Sequence, residues 1–283
     1  MTRQTATVIG FGAVLLWSAL AVLTVATVPV PPFLLTALTF AVGGMAGLVW
    51  TAATGQIGTL RSIPLRVYLL GTAGLFGYHA LYFSALRLAP PAQASLIAYL
   101  WPLFIVLGSG LMPGERLRAG HVLGALIAFA GAALILGGGA PAPWAMAGYG
   151  LAFLCALTWA AYSLGSRRLP QVPTAAVTVY CLATAALSAL IHPLVEPTLW
   201  PATPAGWAAV LALGIGPVGL AFFVWDIGVK RGNIQLLGTA SYAAPVLSTL
   251  IMVVSGKAEA GPRLLIAAAL IATGAALAAR SRS

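Results

Sequence analysis

The residues with chemistry to offer in this 283-residue chain are aromatic and proline side chains set deep inside apolar runs. Trp17, Tyr78, His79, Tyr82, Tyr99, Trp101, Trp159 and Tyr242 each fall in the middle third of such a run, or within about a turn of it. A phenol hydroxyl or indole N–H at that depth needs a hydrogen-bond partner. Either the surrounding helices supply it or the groups line a hydrated cavity. Tyr78 and Tyr82 stand four apart and share a helix face, with His79 one position round. Tyr99 and Pro102 make a Tyr-x-x-Pro element around Trp101, and Ser241, Tyr242 and Pro245 supply a second one. A proline inside a helix removes a hydrogen bond and can free a carbonyl at a kink. The set therefore offers ring stacking, cation–π attraction and hydrogen bonds from hydroxyls, imidazole and freed backbone groups. That is binding chemistry. His79, His121 and His192 lie at different depths on different runs, with no carboxylate spaced to join them, so the sequence provides no catalytic or metal-holding set. No cofactor is implied, and the lack of a Gly-x-x-x-x-Gly-Lys-Ser/Thr loop excludes ATP-driven transport within this chain.

The elements that must position these residues are transmembrane helices. With 61% hydrophobic and 6% charged residues and a mean hydropathy of +1.01, the chain is read as an all-α integral membrane protein. A span needs about 20 apolar residues. The runs predict ten, over 8–27, 32–51, 67–86, 92–111, 119–137, 147–165, 174–194, 206–228, 233–254 and 263–279, parted by proline- and glycine-rich turns such as Pro90-Pro91 and Gly137 to Pro141. Cys155 and Cys181 fall inside spans and read as small buried apolar residues. With the N-terminus in the cytoplasm, the inner loops hold Arg3, Arg61, Arg66, Arg116, Arg118, Arg167, Arg168, Lys230, Arg231, Arg280 and Arg282, leaving Arg87, Lys257 and Arg263 outside. That split of 11 to 3 among 14 basic residues places both termini in the cytoplasm. The net charge of +10 is then a topology determinant beside anionic lipid, with no nucleic-acid partner required.

The second half repeats the first. At an offset of 143 residues Val67 to Leu134 lies over Val210 to Leu277, with Gly71 on Gly214, Arg87 on Lys230, Tyr99 on Tyr242 and Pro102 on Pro245. Residues 1–140 and 141–283 each carry five spans, and an odd-numbered repeat inserts upside down relative to its partner. The two Tyr-x-x-Pro elements are thus expected as opposed walls of one midplane cavity, with the mismatch of Trp101 against Ala244 breaking its symmetry.

Two five-helix halves, the Leu111 to Leu117 stretch with Glu115-Arg116, and small-residue fifth and tenth helices resemble the drug/metabolite transporter superfamily in its EamA-repeat branch. Tyr78-His-Ala-Leu-Tyr82 and Ala92-Gln-Ala-Ser-Leu-Ile-Ala-Tyr-Leu-Trp-Pro102 more narrowly resemble the YddG type of aromatic amino acid exporters. The resemblance implies a secondary transporter of the bacterial inner membrane that exports amino acids by alternating access. It implies no obligatory protein partner beyond the lipid bilayer and the substrate. The residues fit a zwitterion: Trp17, Tyr82, Trp101 and Trp159 could hold a ring and an ammonium group, while His79, Tyr hydroxyls or freed N–H groups could receive a carboxylate. No basic residue falls mid-span, which disfavours phosphate-bearing substrates. No carboxylate does either, which favours facilitated diffusion over the alternative, a proton-coupled multidrug or metabolite exporter. Asp226 is expected in an end-of-helix pair before Lys230-Arg231, Glu115 beside Arg116 and Arg118, and Glu196 and Glu259 in external loops.

Overall fold

The computed structural model describes residues 1–137, 142–256 and 261–281. The turn residues 138–141, Lys257, Glu259 and Arg282 lie outside the described residues. Helices make up the bundle, and no strand occurs among the described residues. Its long segments are α1 (Arg3–Ala26), α2 (Pro32–Ala53), α3 (Leu65–Leu88), α4 (Pro91–Ser109), α5 (Ala119–Leu136), α6 (Pro143–Arg167), α7 (Ala176–Val195), α8 (Pro204–Arg231), α9 (Ile234–Val254) and α10 (Pro262–Arg280). Among the described residues, nine of these are long and apolar enough to cross a membrane. The exception is α3. It is 24 residues long but carries Tyr78, His79 and Tyr82 within and Arg66 and Arg87 near its ends.

Five of the segments begin on proline, at Pro32, Pro91, Pro143, Pro204 and Pro262. At the first helical position the missing N–H costs nothing and the fixed φ already suits a helix. The same residues that end a connection therefore start the next helix. Thr2 and Thr203 cap α1 and α8, accepting from the amides of Thr5 and Gly206. Four segments are interrupted. The breaks in α4 at Tyr99 and Leu100 and in α9 at Ser241 and Tyr242 fall on the Tyr-x-x-Pro elements, α1 breaks at Ala19, and α8 widens into a π-turn over Gly216–Leu220.

The most extensive helix pairs are α5 with α10, α2 with α7, α3 with α6 and α1 with α8. Exchanging the halves maps this set onto itself, since α3–α6 becomes α8–α1. The same exchange operates inside the α5–α10 interface. A Cβ on Gly124 would stand 2.5 Å from the Gly274 carbonyl oxygen, and one on Gly131 would stand 2.9 Å from that of Ala267. Adding 143 to 124 and 131 gives 267 and 274. Such small residues let two helix backbones touch where lipid offers no hydrophobic drive to pair them. Large apolar side chains remain on the perimeter, among them Leu65, Leu111, Leu194 and Val254, as an acyl-chain solvent requires.

Ionic groups hold the two ends. At one end the carboxylate of Glu115 meets Arg3 at 2.8 Å and also pairs with Arg167, which donates to the carbonyls of Val229 and Gly232. Its partners come from across the bundle rather than from Arg116 and Arg118. The reason is burial: the Glu115 side chain is 2% exposed and turned inward, whereas both neighbouring arginines face out. Ser281, after α10, lies against Gly120 in the first turn of α5, so both termini share this end. Nearby, Lys230 and Asp226 pair at 2.8 Å, and Lys230 also donates to the Val172 carbonyl. At the opposite end Glu196 joins Arg87 and His192, each at 2.9 Å, and accepts from the amide of Leu34 in the first turn of α2.

Candidate functional site

The rings gather where the helices break. Trp17 sits two residues before the interruption of α1, and Trp101 opens the second piece of α4. Together with Trp159 of α6 and Trp225 of α8 they form one cluster. Trp17 lies 5.7 Å from Trp159, 6.2 Å from Trp101 and 5.2 Å from Trp225, and Trp101 lies 6.2 Å from Trp159 and 5.6 Å from Trp225. Several of these contacts are edge-to-face, the arrangement the ring quadrupoles prefer. Trp17 and Trp159 stand 142 positions apart, so each half contributes a tryptophan from its first helix to the centre.

Two of the indole N–H groups find their partners within the bundle. The Trp17 Nε1 donates to the Pro217 carbonyl at 3.0 Å, and the Trp225 Nε1 donates to the Ser163 hydroxyl at 3.1 Å. Pro217 lies in the π-turn, a device that displaces backbone groups from the regular ladder. Phe222 of α8 stacks on Phe40 of α2 at 5.4 Å and completes the floor.

Above this floor, toward the end that carries Arg87, lies the α3 face. The Tyr78 ring is 5.4 Å from Trp159 and parallel to that of Tyr82 at 6.1 Å, and the Tyr82 hydroxyl shares a 2.8 Å hydrogen bond with Ser95. His79 packs edge-on against Phe40 at 5.0 Å, and its Nδ1 meets the Leu75 carbonyl at 2.8 Å. A carbonyl only accepts, so Nδ1 carries the proton and Nε2 of the neutral ring is an acceptor. Tyr99 lies between Trp101 at 6.3 Å and Tyr242 at 6.5 Å.

The two Tyr-x-x-Pro elements thus touch directly. Tyr242 is fully buried against Phe129 of α5, and its hydroxyl accepts the Leu103 amide at 3.1 Å. That amide belongs to the first turn after the break in α4, where the donors have no partner in their own helix. The Ser241 hydroxyl is turned back on the Leu237 carbonyl at 2.7 Å, and Pro102 and Pro245 are buried. The structure therefore brings Trp17, Tyr78, His79, Tyr82, Tyr99, Trp101 and Trp159 into one connected set of rings. Ser241, Tyr242 and Pro245 stand behind it, in the packing between α4, α5, α9 and α10.

Trp225, Phe222 and Phe40 belong to the same set and were not singled out in the sequence. The repeat contained the signal for two of them: 143 positions on from His79 and Tyr82 lie Phe222 and Trp225. The hydrogen bonds of Trp17, His79, Tyr82 and Trp225 all go to uncharged partners, while Asp226, beside Trp225 in the chain, is paired with Lys230. Burial is graded across it. Trp101, Trp159 and Trp225 are 4%, 3% and 0% exposed, while Tyr78, His79, Tyr82 and Tyr99 are only half-buried.

The helix pairing that survives exchange of the halves agrees with the comparisons to known proteins. The model of the EamA-like transporter family matches the chain twice, over residues 4–137 and 146–280. The aromatic amino acid exporter YddG of Ancylobacter novellus is 56% identical over 282 residues, 98% of each chain, and that of Escherichia coli is 28% identical over 276 residues, 90% of this chain and 89% of the other. A solved crystal structure, 57% identical in sequence, superposes on 98% of both chains with a TM-score of 0.95. This chain belongs to the EamA-like transporter family, and it is a multi-pass membrane transporter rather than an enzyme.

Proposed function

We propose that the protein exports amino acids, aromatic ones foremost, across the bacterial inner membrane by alternating access. In this reading two inverted five-helix halves, 1–140 and 141–283, supply ten spans, and both termini are cytoplasmic. The observation that carries the substrate class is the cluster itself, a wholly uncharged set of rings at the level of the helix breaks. It suits a zwitterion, whose two charges cancel and need no full opposing charge in the wall. An aromatic side chain stacks among Trp17, Trp101 and Trp159, and the rings attract the ammonium group. His79 takes the ammonium rather than the carboxylate expected from the sequence, because its acceptor Nε2 is the nitrogen left over by the Leu75 contact. The carboxylate then falls to the Tyr78 and Tyr99 hydroxyls and to amides near Pro102. Ser241, Tyr242 and Pro245 serve the site by holding that broken segment from behind.

Counterflow in proteoliposomes, with a panel of twenty amino acids, simple amines and lipophilic cations, tests the assignment. Phenylalanine, tyrosine and tryptophan are expected to exchange fastest, and Trp101→Ala to lower their exchange about tenfold while sparing small substrates. Preferred exchange of lipophilic cations would favour the multidrug alternative instead.

A further inference from the structure

A cleft at the termini end is separate from the ring cluster. It runs between the start of α3 and the connection from α6 to α7, with a volume of about 430 Å³, inside the range of small-ligand pockets. Its walls are apolar, built from Val67 and Leu70 on one side and Leu169 and Val172 on the other. Arg66 and Gln171 are its main polar groups. Arg66 has no ion-pair or hydrogen-bond partner among the described residues, and nothing there neutralises it.

The base of the cleft is closed, with Leu70, Leu169 and Val172 packed over Tyr162, Ser166, Tyr180 and Lys230. Tyr162 is 1% exposed and its ring lies 5.2 Å from Trp159, which makes it the wall between the cleft and the central cluster.

We infer that this cleft is a second amino acid site, a loading vestibule on the cytoplasmic side, in which Arg66 takes the carboxylate and the Leu70–Val172 walls take the apolar side chain. The inference rests on the proposed export of aromatic amino acids and adds where the substrate waits before the floor opens. Guanidinium suits a carboxylate because its donors match the two oxygens. Of the cations lining the cleft and its base, Lys230 already faces Asp226, which leaves Arg66 for the carboxylate.

Equilibrium dialysis of labelled L-phenylalanine against the full chain, in nanodiscs of phosphatidylcholine alone, tests this. Two equivalents per chain are expected. Leu70→Trp, which fills the cleft, should remove one, and Arg66→Gln, at an exposed position that folding tolerates, should weaken the same one about tenfold. Phenylalaninol, which lacks the carboxylate, should fill only the central site. A single equivalent in the parent protein, or two undiminished equivalents in Arg66→Gln, overturns the vestibule. So does loss of the second equivalent when phosphatidylglycerol is added, because the cleft would then be a lipid headgroup site. Counterflow with the parent protein is read separately, so failure of aromatic exchange there marks failure of the export reading itself.

Discussion

The Tyr242 hydroxyl stands where a helix has lost a hydrogen bond. It accepts the Leu103 amide just past the break in α4 and comes from the equivalent position of the other half. Replacing it with Phe leaves a buried N–H unpaired, which costs about 1–3 kcal/mol. The thermal midpoint of Tyr242→Phe in detergent should therefore fall, while Tyr149→Phe, whose hydroxyl accepts from Ala142 at a helix start outside the core, should change it less. Equal midpoints for the parent and Tyr242→Phe would remove the capping role. At this scale the sequence revealed depth but not direction. Depth alone put Trp17, Tyr78, Trp101 and Trp159 near one level, and their rings do meet. It could not tell that Ser241 turns back on Leu237, because that choice depends on which face of α9 meets its neighbours. Trp225 escaped notice for a different reason. Read from an expected end at 228, it looked terminal, but α8 runs to Arg231 and its π-turn shifts the helix face, leaving the ring fully buried.

Helix pairing sets how these residues meet, and the α5–α10 contact is its tightest joint. A Cβ on Gly124 would lie 2.5 Å from the Gly274 carbonyl oxygen, and neither backbone can give without parting the helices. Gly124→Leu should therefore destabilise the protein by about 1–3 kcal/mol, the range for overpacking. Gly150→Leu is the control, since a Cβ there meets nothing within 4 Å. A thermal midpoint unchanged in Gly124→Leu, or lowered equally by both, would remove the close approach as the cause, since helix propensity alone favours leucine over glycine. The elements were the more legible part of the sequence. Apolar runs predicted at 92–111, 119–137 and 263–279 become Pro91–Ser109, Ala119–Leu136 and Pro262–Arg280. The breaks in α4 and α9 were readable because proline marks them. The break at Ala19 carries neither proline nor glycine; it adjoins Ser18, whose hydroxyl donates to the Leu15 carbonyl, a contact that bends helices. In α8 the Gly216-Pro217 signal was present, but in a run apolar on all faces a local widening leaves no change of period to read.

Across the whole molecule, charge is kept at the two ends and rings at the centre. Of four acidic residues, Glu115 pairs with Arg3 and Arg167, Glu196 with Arg87 and His192, and Asp226 with Lys230, while Glu259 lies outside the described residues. Each described carboxylate is thus committed to a cation near a helix end, and none is hydrogen-bonded to the central rings. His79 is the imidazole that remains there, its Nδ1–H donating to the Leu75 carbonyl. A proton-driven exporter needs a group whose protonation competes with substrate in the same site, so that each cycle trades one for the other. With no carboxylate in that role, transport is proposed to follow the substrate gradient alone, and His79, whose Nε2 faces the ammonium, is the group left to test. Proteoliposomes given labelled phenylalanine at equal concentration on both sides should show no net accumulation when a pH gradient is imposed, and His79→Gln should leave that result unchanged. Uphill accumulation in the parent protein would overturn facilitated diffusion, and its loss in His79→Gln would then identify the imidazole as the coupling group.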